Sequence, residues 1–304
     1  MPDKAFFETA YFETARAKVN LTLHVGRVIS DLADPFYNYH PIDSLVTFAD
    51  IGDELRAEIS EPIPAQSAQA TSLTITGPYG ESLKDDDPDN LVLKAYARVA
   101  RHVPLPAIDF YLLKNLPVAS GLGGGSANAA ATLRILKRIA TLPDAVWKDI
   151  AISLGADVPV CMLQQTARMS GIGENVMALE ALEPVYGVLI NPNIAVSTVE
   201  IFKAYDKGTP PETPRPQKIT GGLLSRARDG GNDLEPVTCE LEAKVNQILI
   251  ALKRTSSCQL ARMSGSGASC FGLYSNLGAA QKAFMQIQKL YAGWWVQLVI
   301  LGDT

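Results

Sequence analysis

The sequence predicts an α+β fold, and three observations carry that prediction. Residues 14–25 alternate between apolar and other side chains, the period of a strand with one buried face. Residues 126–140 place Ala129, Leu133, Leu136 and Ala140 at helical spacing instead. Segments of both kinds follow one another without the strict strand–helix alternation of a parallel α/β sheet. The chain of 304 residues has room for two domains or one large one. It contains no internal repeat, heptad run or low-complexity tract.

Taken in order, the first strand sets Ala15, Ala17, Val19, Leu21, Leu23 and Val25 on one face. Arg16, Lys18, Asn20, Thr22 and His24 take the other, for which solvent is the ordinary fate. Asn is disfavoured in strands, however, and Lys, Asn and His on one face also make a reactive surface. On these residues alone the two readings stand level. Residues 30–41 form a loop rich in turn formers and aromatics, and a strand pair follows through 43–59. Residues 61–71 read as an exposed connection. The acidic run 85–90 opens a helix at Leu91, with Asp89 or Asn90 as its N-cap. Capping is a better account of those carboxylates than metal binding. A strand at 108–113 precedes the helix of 126–140.

Residues 143–154 make a short helix stopped by Gly155. Asp157 then lies just past a helix end, where Pro159 favours extended backbone and a turn or cap role is the plain reading. A hairpin is expected at 167–174, a strand at 186–190 and a flexible surface loop over the prolines of 207–218. Asn232 to Pro236 leads into a helix with Val237, Leu241, Val245 and Leu249 in register. A glycine loop, Met263 to Ser269, joins two strands, and a helix over 277–291 and a strand over 295–301 close the chain.

The net charge of −5 lacks the basic stripe of a nucleic-acid binder, so no nucleic-acid partner is expected. Four cysteines show neither a C-x-x-C pair nor histidines at zinc spacing, as expected of reduced thiols in the cytoplasm. The first ten residues carry Asp3, Lys4 and Glu8, so no signal-peptide core is expected there. No apolar run approaches the roughly 20 residues that span a bilayer, and no membrane partner is expected.

The stretch with the sharpest chemistry is Leu116 to Asn128, where Gly121, Gly123, Gly124 and Gly125 stand between a strand and a helix. Glycines let backbone N–H groups approach an anion, and a helix start adds unpaired donors and a positive dipole end. A phosphate cradle is therefore favoured over a plain connector. The loop ends Gly-Gly-Ser without lysine, so it is not a Walker A loop, and Ser126 stands where the dinucleotide fingerprint needs glycine.

Three separated motifs now stand together: Ala17 to Leu21, Pro117 to Asn128 and Met263 to Ser269. In this order the chain resembles the GHMP kinase superfamily of small-molecule kinases. Tyr39-His40, Gly155 to Pro159, Thr198 with Phe202, and Asn232 to Pro236 narrow the resemblance. They point to a member whose alcohol substrate carries a cytidine diphosphate, in the non-mevalonate route to isoprenoids. The match runs from about Thr14 to Leu301. Two departures stand out: residues 31–38 are longer than usual, with Asn38 where glycine is common, and Ala119 and Ser120 replace glycines of many relatives.

The resemblance implies a two-domain fold. A ribosomal-protein-S5-domain-2-like nucleotide domain over 1–185 would pack on a ferredoxin-like domain over 186–304, with the substrate cleft between them. It implies ATP and Mg²⁺, with ATP held by Pro117, Ser120, Gly121, Leu122, Gly123, Gly124, Gly125, Ser126 and Asn128. The metal ligands stay open, Ser126 being one candidate. Asp157 would be the base and Lys18 the cation that keeps it ionised. Asn20, Tyr39, His40, Thr198, Phe202, Gly265, Ser266 and Gly267 would hold the cytidine-diphosphate substrate. A GHMP kinase for homoserine or a mevalonate, or a nucleotide sensor on the same scaffold, are the rival readings. Monomer and homodimer both stay open.

Overall fold

The computed structural model describes residues 10–59 and 71–303. The leader reading of the first ten residues and the connection at 61–71 fall outside them, apart from Ala10 and Thr71. The chain runs β1 (Ala10–Asn20), β2 (His24–Val25), β3 (Ile42–Ile59), β4 (Ser72–Thr76), α1 (Leu91–Ala100), β5 (Ile108–Leu113) and α2 (Gly124–Ile139). It continues through α3 (Asp144–Leu154), α4 (Val158–Leu163), β6 (Ala167–Gly171), β7 (Asn175–Ala178), β8 (Val185–Asn191) and α5 (Thr198–Tyr205). The remainder is α6 (Leu223–Arg228), α7 (Glu235–Leu241), α8 (Ala243–Lys253), β9 (Cys258–Met263), β10 (Cys270–Tyr274), α9 (Leu277–Leu290) and β11 (Trp295–Leu301). Strands and helices mix as the α+β expectation requires.

One sheet path, β4-β5-β3-β11-β8-β10-β9, crosses the molecule, and β1, β2 and β6 also pair with β3. The strand pair expected over 43–59 is instead this single strand, β3. It has no turn at Gly52 because that glycine lies against the β1 backbone. A Cβ there would come within 2.3 Å of the Ala15 carbonyl oxygen. The β1–β3 register shifts between Arg16 and Lys18, and the Arg16 guanidinium bonds the carbonyls of Phe48, Ala49 and Gly302.

The first core lies under β1, β3 and β5, filled by Phe48, Leu55, Phe110, Leu133, Ile135 and Trp147. Alanines 127, 129, 130 and 131 of α2 are buried there, and such small side chains let a helix sit close to its neighbour. A second core holds Val188, Ile190, Ile248, Leu252 and Ile287, joined by Leu23 and Val25 from the N-terminal half.

Several expectations need correction. The polar face of the first strand, for which solvent and a site stood level, is not solvated: Lys18, Asn20, Thr22 and His24 are as buried as the apolar set, and regular pairing stops at Asn20. Pro159 does not extend the chain after Asp157, because it occupies the first turn of α4, where its missing N–H costs nothing. The helix expected through Val237 and Leu249 breaks at Glu242, whose φ of −128° and ψ of 86° are not helical, and Leu241 points outward. The proline-rich 207–218 segment has no regular element but is tied down. The Arg27 amide donates to the Pro211 carbonyl, and the buried Gln217 amide bonds the Lys218 and Arg226 carbonyls.

Gly52→Ala is expected to destabilise the protein by roughly 1–3 kcal/mol, since backbone rather than a side-chain tip must give way. A urea midpoint unchanged from the parent would show that this close approach is not needed.

Candidate active site

Lys18 enters the site from β1, which binds the glycine loop through the Lys18 amide and the Leu122 carbonyl at 2.9 Å. The residue is only 4% exposed, and its ammonium lies 2.7 Å from Asp157 Oδ2. Asp157 is held by two short helices meeting end to end. α3 stops at Gly155, and α4 begins immediately after the aspartate, with the Cys161 amide donating to the Asp157 carbonyl. The carboxylate keeps about a third of its surface open, so one side faces the lysine and the other faces the cleft. The Cys161 thiol behind it is pushed up to about 12, by burial first and then by Asp157, and stays protonated.

The glycine loop runs straight into a helix start, two residues earlier than the spacing indicated. α2 begins at Gly124 rather than Ser126, with Gly123 in left-handed geometry (φ 65°) as its N-cap. A Cβ on Gly123 would meet the Lys18 side chain at 3.3 Å, so loop and lysine are packed together. Beneath Gly124 lies a pair that pattern reading missed. The Lys114 ammonium bonds Asp53, whose other oxygen accepts the Asn115 and Leu116 amides at 2.8 Å each. Both residues are buried, and their pairing fixes the turn from β5 into the loop.

The second glycine loop backs directly onto the first. Ser264 Oγ donates to the Gly121 carbonyl at 2.9 Å, and the Ser269 amide donates to the Ser120 carbonyl at 3.0 Å. Asn232 donates to the carbonyls of Met263 and Gly265, and Glu235 accepts the Met263 amide. The Asn232–Pro236 motif therefore braces this loop. On the cleft side, Asn20 donates to Ser44 Oγ at 2.8 Å, while its own Oδ1 is buried without a partner among the described residues.

At the far end of the cleft, Tyr39 and His40 leave a loop closed by Ile29, which bonds the backbones of both Asn38 and Tyr39. Asn38 takes the left-handed geometry (φ 68°) that glycine would supply. The His40 ring lies 4.7 Å from that of Phe202 at 39°, and its Nε2 is 2.8 Å from Asp206 Oδ1. Thr198 Oγ1 pairs with Ser266 Oγ at 2.8 Å, joining α5 to the second loop.

One cleft of about 660 Å³ gathers most of the expected site residues. Lys18, Asn20, Tyr39, His40, Ser120, Gly121, Gly123, Gly124, Gly125, Ser126, Asp157, Thr198, Phe202, Gly265 and Ser266 all line it. Pro117, Leu122, Asn128 and Gly267 do not line its wall. Pro117, Leu122 and Asn128 are buried, and Leu122 fills the core between the two halves. Leu91, Ile172, Lys203 and Asp206 line the cleft and were missed. Asp206 had a signal, since it follows Thr198 and Phe202 at steps of four on one helix face.

Models of the GHMP kinases N terminal domain and the GHMP kinases C terminal match residues 90–165 and 220–293. The chain is 41% identical over 295 residues to a 4-diphosphocytidyl-2-C-methyl-D-erythritol kinase of Roseobacter denitrificans, covering 95% of this chain and 93% of that one. It is 43% identical to a protein of the same name from Cereibacter sphaeroides, covering 93% and 96%. A crystal structure of 4-(cytidine 5'-diphospho)-2C-methyl-D-erythritol kinase superposes with a TM-score of 0.76 at 27% identity, over 97% of this chain and all of that one. A homoserine kinase from Cytophaga hutchinsonii, at 18% identity and a TM-score of 0.64 over 95% and 97%, shares the fold.

Gly123→Val places a branched side chain on a left-handed residue and into the lysine stem. That side chain would also obstruct the approach of a phosphate to the loop, so calorimetry should show ATP affinity weakened by roughly tenfold or more in a folded variant. Unchanged affinity would falsify the loop as a phosphate cradle.

Proposed function

We propose that this chain, which belongs to the 4-diphosphocytidyl-2-C-methyl-D-erythritol kinase family of GHMP kinases, transfers the terminal phosphoryl of ATP to the 2-hydroxyl of that compound. The products are the 2-phosphate and ADP, in the non-mevalonate route to isoprenoid precursors. The observation that carries this reading is the Lys18–Asp157 pair, 2.7 Å apart, in one cleft between a glycine-rich helix start and the His40–Phe202 rings. The nucleotide belongs to residues 1–185 and the acceptor to the cleft they share with 186–304.

Phosphoryl transfer asks for positioning, charge neutralisation and a proton acceptor. The amides at the start of α2 and the Ser126 hydroxyl hold the ATP phosphates. Asp157 accepts the proton of the attacking hydroxyl as the new P–O bond forms and ADP leaves. Lys18 keeps the carboxylate ionised until then and draws the hydroxyl toward it. The unpartnered Oδ1 of Asn20 suits a substrate hydroxyl donor, since a buried acceptor left alone is costly. Gly265 and Ser266 offer amides to the diphosphate, and Tyr39 and Phe202 take the faces of the base.

Among the described residues no group of three or more His, Cys, Asp or Glu could cage a metal. That fits Mg²⁺ carried mainly by nucleotide phosphates and water, with Ser126 and Asp157 as the protein oxygens at hand. Bound there, it would neutralise phosphate charge. Four free thiols suit a reducing cytoplasm.

Asp157→Asn should lower kcat by about 100-fold or more, the scale of general-base help, with ATP binding retained. Near-normal turnover in the folded variant would remove Asp157 from the chemistry. A coupled ADP-release assay over a panel of alcohols tests the substrate. Methylerythritol phosphate without cytidine should be slower by up to about 10⁴-fold, and homoserine and mevalonate inert. Faster turnover of either would leave a kinase with a different substrate.

A further inference from the structure

We propose that Asp206 is a positioning residue for base selection: it fixes the His40 tautomer, and that tautomer makes the site prefer cytosine to uracil. The proposal rests on the cytidine reading above and adds to it a residue and a physical origin for base choice.

Two residues of one helix end grip the imidazole. Phe202 packs on the ring at 4.7 Å, and Asp206, one turn later, meets Nε2 at 2.8 Å. The backbone of the aspartate is fixed, since its amide donates to the carbonyls of Phe202 and Ala204 and so closes α5. The His40 side chain is only 9% exposed. A carboxylate oxygen can only accept, so Nε2 carries the proton. In the neutral ring Nδ1 is then a bare lone pair, and it has no hydrogen-bond partner among the described residues.

A lone pair at Nδ1 complements the exocyclic amino group of cytosine, which donates. Uracil carries a carbonyl at the same place, and two acceptors facing each other form no bond. If Nδ1 bore the proton, the preference would reverse. The selecting power thus comes from a carboxylate that need not touch the base.

The test compares kcat/KM for the cytidine and uridine forms of the diphosphomethylerythritol acceptor, in the parent and in Asp206→Ala and Asp206→Asn. Histidine ¹⁵N spectra of the parent accompany it. The chain has three histidines, His24, His40 and His102, so the His40 signals are readily assigned. The expected spectrum is the neutral Nε2–H form. Asp206→Ala should lose about tenfold or more of the cytidine-over-uridine ratio, the scale of one unpaired group. The loss should fall on KM, with kcat held within about threefold. Asp206→Asn keeps an acceptor oxygen and should retain most of the ratio. An unchanged ratio in Asp206→Ala overturns the proposal, as does an imidazolium or Nδ1–H spectrum in the parent. A parent that turns over neither acceptor overturns the cytidine-substrate reading on which the proposal rests.

Discussion

An ammonium cannot be buried alone, and much of the active cleft is arranged around that constraint. Lys18 is enclosed because β1, unlike a surface strand, is covered on both faces between Ala17 and Asn20. Leaving its charge unpaired would cost several kcal/mol. Asp157 supplies the partner, and supplying it dictates the break between α3 and α4, since an unbroken helix would carry that carboxylate elsewhere. The stem of the same lysine supports Gly123. Lys114 and Asp53 repeat the arrangement one layer down, where both partners are buried and the carboxylate also takes two backbone amides.

Local chemistry was legible in the sequence, and long-range packing was not. The glycine loop, the cap at Asn90 (one of two candidates) and the hairpin after Thr166 depend on neighbours within a few residues, and the pattern located each to within about two residues. The polar face of the first strand stayed level between solvent and a site, because alternation records which side chains are apolar, not which faces are covered. β3 was expected as a strand pair, because its continuity rests on the close approach of Gly52 to Ala15, a contact that no local pattern records. Lys114 and Asp53 lie 61 positions apart and belong to no motif. Tyr39, His40, Thr198 and Phe202 were found through resemblance, whereas Asp206 would have emerged from the four-residue step along α5.

The two departures from the family pattern resolve differently. Asn38 adopts left-handed geometry, at a cost that Asn bears better than most residues. The longer loop can therefore turn into Tyr39 and His40 without glycine. Ala119 is also left-handed, with φ of 49°, and has no such side-chain compensation. It lines the cleft beside the glycine loop, so this chain keeps a locally strained residue where that loop meets the cleft.

The contact between the two glycine loops alters what a glycine in this motif signifies. A Cβ at Gly121 would meet the Ser264 carbonyl oxygen at 2.4 Å and that of Gly267 at 2.8 Å, whereas at Gly125 the nearest neighbour is the Leu91 side chain at 3.5 Å. Gly121 is demanded by the other loop's backbone, and Gly125 only by whatever approaches from the cleft. In a lineage that lost catalysis but kept the fold, the two positions would come under different selection. Gly125 would drift, and Gly121 would persist as a relic of assembly, not evidence of activity.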